Sequence, residues 1–178
     1  MLSGVDPKDV QKLRTKADSL GLGKFQNSVT SRTTHLVVDG ERRTLKVMNA
    51  ICCGVWVVKK SWLQSAESME ELESDASAHE ITHFVGAARS RRGDPSPLQG
   101  VGICIDGATH VPSQELQKLV KKMGGKIVPA SRAKFIVGAN NSARYHDNTK
   151  PFSVVTEVWL LDTIVQWKEL DLSSYLRK

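Results

Sequence analysis

Apolar positions recur along this 178-residue chain with two periods. Val10, Leu13, Ala17 and Leu20 fall at helical spacing, and so do Leu116, Val120 and Met123. Pro7 and Pro112 sit near the starts of these stretches, where a missing N–H costs nothing. Gly21 and Gly124 follow them, as helix C-terminal caps prefer. Short, continuous apolar runs predict buried strands at Val101–Ile105, His35–Val38, Lys126–Val128 and Phe135–Val137, with a further candidate at Lys24–Val29. Residues Arg43–Val58, R-T-L-K-V-M-N-A-I-C-C-G-V-W-V-V, predict a short helix, a glycine stop and another buried strand.

The pattern occurs twice. V-V-K-K-S-W-L at Val57–Leu63 matches V-V-T-E-V-W-L at Val154–Leu160, and Gly4 and Gly21 are spaced like Gly107 and Gly124. Each copy reads β-α-β-β-α-β-α, although the first copy's opening strand is reduced to Met1 and Leu2, as in a piece of a longer protein. Apolar strands alternating with helices predict an α/β fold: two repeats, each a small four-stranded parallel sheet flanked by helices. The expected division is a first repeat at 1–78, a linker at 79–99 and a second repeat at 100–178. Glycine, proline, serine and arginine crowd Gly86–Gly100, which is why a linker is expected there. In the second copy Asn140–Lys150 is polar, and a short helix or loop is expected in place of a full second helix.

Composition adds little that is specific. The net charge of +6 has its excess in Arg89, Arg91, Arg92 and the second half, which suits acidic partners but is also what a solvated surface looks like. No apolar run is long enough for a membrane span, and no membrane partner is expected. Cys52, Cys53 and Cys104 form no metal-ligand pattern and read as reduced core residues. The histidines, among them His79 and His83, lie in no catalytic or zinc motif, and no phosphate loop or nucleophile elbow is present. The chain is therefore expected to be no enzyme and to hold no cofactor, metal or small-molecule substrate. Trp56, Trp62, Trp159 and Trp167 are expected to pack rather than to bind a ligand.

One placement runs against ordinary helix electrostatics. Arg43 and Lys46 fall in the predicted first turn of the helix within Arg43–Val58, beside its positive pole. On its own such a pair is most often a solvated helix face.

Several motifs together resemble a tandem BRCT pair over the whole chain. They are L-S-G-V at Leu2–Val5, T-T-H-L-V-V at Thr33–Val38, R-T-L-K at Arg43–Lys46 and G-V-W-V-V-K-K-S-W-L at Gly54–Leu63. In the second half they are M-G-G-K-I-V at Met123–Val128 and V-W-L-L-D at Val158–Asp162. The resemblance implies recognition of phosphoserine peptides, which gives the two cations a purpose. Ser3 would donate a hydroxyl hydrogen bond, Gly4 its backbone N–H, and Lys46 a point charge, while Thr44 would fix the helix start. Arg43 would hold the peptide three residues beyond the phosphoserine, through its backbone or a terminal carboxylate. Met48, Val111 and Leu161 match the positions that receive the side chain at that +3 site, and all three are apolar. In the second repeat Asp106-Gly107 replaces Ser3-Gly4 and no R-T-x-K follows, so one phosphate site is expected in the pair.

What the resemblance implies is a nuclear module of DNA-damage and cell-cycle signalling, possible at the centrosome too. It would read pSer-x-x-Tyr/Phe, with the phosphorylated C-terminal tail of a variant histone as leading partner. Two rival readings stay open: a protein–protein scaffold indifferent to phosphate, and a module that holds DNA ends. Direct DNA binding is not expected, and a salt-steep affinity for duplex DNA would be its mark.

Overall fold

The computed structural model describes residues 1–22, 25–107, 109–138 and 152–176. The chain divides into two compact units, Met1–Gly93 and Asp94–Lys178. Each is an α/β unit with a parallel sheet.

In the first unit, β1 (Leu2–Ser3), β2 (His35–Val38) and β3 (Trp56–Lys59) form the sheet in that order. Helix α1 (Pro7–Ser19) begins where Asp6 accepts a hydrogen bond from the Lys8 amide at 2.8 Å, with Pro7 in the first turn. It buries Leu13 and Ala17 against Val37, Val58 and the next helices, α3 (Lys60–Ser65) and α4 (Met69–Asp75). Trp62 of α3 is buried there and donates to the Leu72 carbonyl at 3.0 Å. Strand alternation turns Leu36 and Val57 to the other side, where α2 (Leu45–Cys52) lies against β3. Helix α2 buries Val47, Met48, Ala50 and Ile51, a nearly continuous apolar face.

Two expectations for this unit need correction. Lys24–Val29 supplies no strand among its described residues, and the described sheet is three-stranded rather than four-stranded. Local side-chain bonds hold the neighbouring turn instead. Thr33 Oγ1 bonds Gln26 and accepts from the Thr30 amide at 2.9 Å, a loop arrangement that competes with a ladder.

Residues 79–99 were expected as a linker, yet most of them are folded. Lys59 donates to the His79 carbonyl at 3.0 Å, and Ile81 to that of Val57 at 2.9 Å. Helix α5 (Val85–Arg91) then packs on α2 with Phe84, Gly86 and Ala87 buried. The contact is close: a Cβ on Gly54 would come within 3.0 Å of the Arg91 backbone. Arg91 lays its guanidinium 3.3 Å from the Trp56 ring centroid and bonds both oxygens of Glu80 at 3.0 and 2.8 Å. Burial of Ile81, Phe84 and Ala87 outweighs the loop-forming composition.

The second unit orders its strands β5-β4-β6-β7, with β4 Gly102–Ile105, β5 Lys126–Ile127, β6 Phe135–Val137 and β7 Ser153–Val155. Helix α6 (Ser113–Lys122) buries Leu116, Leu119 and Val120. Helix α7 (Glu157–Gln166) buries Trp159, whose ring centroid lies 4.4 Å from that of Phe135. The end of the expected linker belongs here. Leu98 is buried, Ser96 donates to the Met123 carbonyl at 2.7 Å, and Trp167 donates to that of Asp94 at 3.0 Å. The expectation for Asn140–Lys150 lies outside the described residues.

Among the described residues no disulfide joins the cysteines, but only Cys52 is fully a core residue; Cys104 is half-buried, and Cys53 is exposed at the end of α2. Among the described residues no helix is long and apolar enough to cross a membrane.

Candidate functional site

Parallel register brings the carboxyl ends of the first unit's strands into line. Ser3 pairs with Val38, and Val38 with Lys59. The crevice outside such strand ends is where open α/β sheets hold ligands. Here β1 ends in Ser3-Gly4, and Gly4 turns the chain toward α1 with φ +67°, a conformation that favours glycine. A Cβ built on Gly4 meets nothing within 4 Å, so the space beside it is open.

β2 ends beside it, and the chain runs through residues 39–43 to Thr44. Thr44 is the N-cap of α2, and its Oγ1 accepts from the Val47 amide at 3.2 Å. Its carbonyl accepts from the Met48 amide at 3.0 Å. The amides of Leu45 and Lys46 lie in the first turn, where the helix itself offers no acceptor. Ser3 Oγ lies 2.8 Å from Thr44 Oγ1, so the end of β1 is joined to the cap of α2. Ser3 is buried, and Lys46 is exposed. Lys46 Nζ donates to the Leu2 carbonyl at 3.3 Å and so leans back over the pocket. Ser3, Gly4, Val5, Thr44, Leu45 and Lys46 line this pocket.

Ser3, Gly4, Thr44 and Lys46, expected from the sequence to act together, are thus brought together. The arrangement offers a helix N-terminus, hydroxyl groups and one ammonium group around an open hollow, which is chemistry suited to a tetrahedral anion. Arg43 is placed differently from the expectation. It precedes the cap instead of lying in the first turn, because Thr44 takes the capping position, and it is exposed. Met48 is buried on α2 in the first unit; Val111 is partly exposed ahead of α6, and Leu161 is buried on α7, both in the second unit. After β4 the second unit carries Asp106-Gly107, with Gly107 at φ +90°, so the turn is kept while the hydroxyl is replaced by a carboxylate.

Sequence reasoning missed a neighbouring ion cluster. Lys60 Nζ sits 3.0 Å from Asp9 Oδ2 and 2.8 Å from Asp39 Oδ2. Both carboxylates hold the lysine's proton tightly, pushing its pKa well above the ordinary range, and Lys60 in turn lowers that of Asp9. The V-V-K-K motif contained the lysine, but nothing in its spacing pointed to partners so distant in the chain.

The family model described as "BRCA1 C Terminus (BRCT) domain" matches residues 2–65. Microcephalin of Macaca fascicularis is 30% identical over 169 residues, covering 89% of this chain and 20% of that protein. The chain thus spans about a fifth of the length of the curated relatives it matches. Among solved structures, the BRCT5-BRCT6 domains of S. pombe Brc1 superpose with a TM-score of 0.59 at 18% identity, covering 99% of this chain and 95% of that one. Rtt107p in complex with a phosphorylated histone gives a TM-score of 0.61 at 10% identity, covering 99% and 90%. At such identities the likeness is one of fold. The match identifies residues 2–65 as a BRCT domain, and the likeness to the Brc1 BRCT5-BRCT6 structure shows the fold of a BRCT pair over nearly the whole length.

Proposed function

We propose that this BRCT pair is a phosphoserine-peptide recognition module of DNA-damage and cell-cycle signalling. The observation that carries the reading is the joined cluster of Ser3, Gly4, Thr44 and Lys46 at the N-terminus of α2. A phosphate there would take hydrogen bonds from Ser3 Oγ and the backbone N–H of Gly4, with Thr44 holding the helix start and Lys46 supplying charge. Asp106 would repel phosphate at the matching position of the second repeat, so one phosphate is bound per pair.

The natural ligand is a phosphorylated protein tail of the type pSer-x-x-Tyr/Phe, with Arg43 reading the +3 end, and a variant histone tail is the leading candidate. Two relationships support this. Rtt107p, alike in fold, has been solved with a phosphorylated histone, and microcephalin is the relative by sequence. A nuclear location follows from the same reading, with the centrosome as a second site.

The test is a fluorescence titration with a phosphorylated S-Q-E-Y peptide and its unphosphorylated control. Charge-assisted hydrogen bonds contribute about 1.5–3 kcal/mol each. Lys46→Met is therefore expected to weaken the phosphopeptide about 10-fold or more, and to leave the fold intact because Lys46 is exposed. Equal binding of phosphorylated and unphosphorylated peptide would instead favour a scaffold that ignores phosphate.

A further inference from the structure

We propose that Lys60, bridging Asp9 and Asp39, is a positioning residue that holds the two walls of the phosphate pocket at their working separation. The inference rests on the phosphate-binding reading above. Asp39 follows Val38, the register partner of Ser3 and of Lys59, so it stands beside Gly4 on one side and Lys60 on the other. Asp9 lies in the first turn of α1, just beyond the Gly4 turn. The lysine therefore ties the β1–α1 wall to the β2–α2 wall from behind, at 3.0 and 2.8 Å.

The β2–α2 wall needs such an anchor. Residues 40–43 are all exposed, and Gly40 has φ +83°, so no buried side chain fixes the loop between its ends. Thr44 secures one end through Ser3 and Val47, and Lys60 secures the other.

Electrostatics alone gives these carboxylates no reason to be here. Two negative charges beside a phosphate pocket repel the ligand. If Asp39 acted only as a charge, its removal would tighten phosphopeptide binding. If it is an anchor, its removal loosens the wall and weakens binding. The two roles predict opposite signs.

The experiment uses the full chain and the phosphorylated S-Q-E-Y peptide. Asp39→Ala is expected to weaken binding about three- to fivefold, the scale of a partly exposed ion pair. Lys60→Met should cost a similar factor and Lys60→Arg should restore most of it. The double variant Asp39→Ala, Lys60→Met should be little worse than either single one. In the absence of peptide, amide hydrogen exchange in residues 40–47 should quicken in Asp39→Ala while exchange in α7 is unchanged. Unchanged or tighter binding by Asp39→Ala overturns the proposal. Should the wild-type chain show no preference for phosphate, the functional reading fails, and the exchange arm alone decides the anchor: unchanged exchange in residues 40–47 overturns it.

Discussion

Ser3 Oγ and Thr44 Oγ1 lie 2.8 Å apart although 41 residues separate them, and Thr44 Oγ1 also accepts from the Val47 amide at 3.2 Å. One hydroxyl thus caps α2 and orients the serine at the end of β1. Thr44→Val keeps the shape and removes both bonds. It is expected to lower stability by about 1–2 kcal/mol, the usual cost of losing an N-cap. Thr44→Ser should recover most of this. In a cycle with Ser3→Ala the two losses should fall short of additive, because they share the hydroxyl pair. Urea unfolding of the four proteins measures it, and strict additivity would mean that the pair contributes nothing to stability.

Gly4 separates strain from space. Its φ of +67° disfavours any side chain, at a cost of about 1–2 kcal/mol for an L-residue. A Cβ there would nevertheless clash with nothing within 4 Å. Gly4→Ala should therefore fold, with that modest loss of stability. Phosphopeptide affinity should fall further, about 10-fold or more, because the methyl group occupies the open side of the pocket and the turn shifts its N–H. Parallel melting curves and titrations check this; affinity that only tracks the stability loss would remove Gly4 from the site.

Much of this architecture was legible from local pattern. His35–Val38 and Phe135–Val137 coincide with observed strands because buried parallel strands are continuous apolar runs. The clustering of Ser3, Gly4, Thr44 and Lys46 was what the resemblance to BRCT pairs implied, carried by L-S-G-V and R-T-L-K. What escaped depended on tertiary contacts. Helix α5 has a loop-like composition, and its small residues make sense only once Gly54 and Arg91 are in contact. Lys60 meets Asp9 and Asp39 across 51 and 21 residues, a meeting that parallel register and the packing of α1 on α3 create together. Arg43 was expected inside the first turn, but Thr44, whose hydroxyl was expected to fix the helix start, takes the cap and leaves Arg43 just outside it.

His35 makes the first unit sensitive to acid. Its ring stacks on Trp62 at 4.4 Å, and burial, helped by the nearby amino group and Arg91, lowers its pKa to about 4. Unfolded, the same histidine titrates near 6.5. Between these values the unfolded chain binds a proton that the folded chain refuses, so stability falls as pH falls through that window and is whole above it. From pH 7 to pH 5 the loss should be about 2 kcal/mol, one pKa unit being about 1.4. His35→Phe should flatten this part of the profile in urea unfolding at the two pH values. An unchanged slope in that variant would assign the acid sensitivity elsewhere.

Arg43 decides whether the ligand must end at the +3 residue. It stands exposed just outside the cap of α2, beside the pocket but not in it. If its guanidinium pairs with a terminal carboxylate, amidating the peptide removes one charge and the bidentate geometry. The loss should be about 1.5–3 kcal/mol, the range for hydrogen bonds to charged groups. Arg43→Gln should lose a similar amount with the free-acid peptide. The two changes should not add, since they delete one interaction. If Arg43 holds only peptide backbone, amidation matters little while Arg43→Gln still weakens binding. Full additivity of the two losses would sink the carboxylate assignment, and the natural ligand would then be a phosphoserine motif inside a chain instead of one at its end.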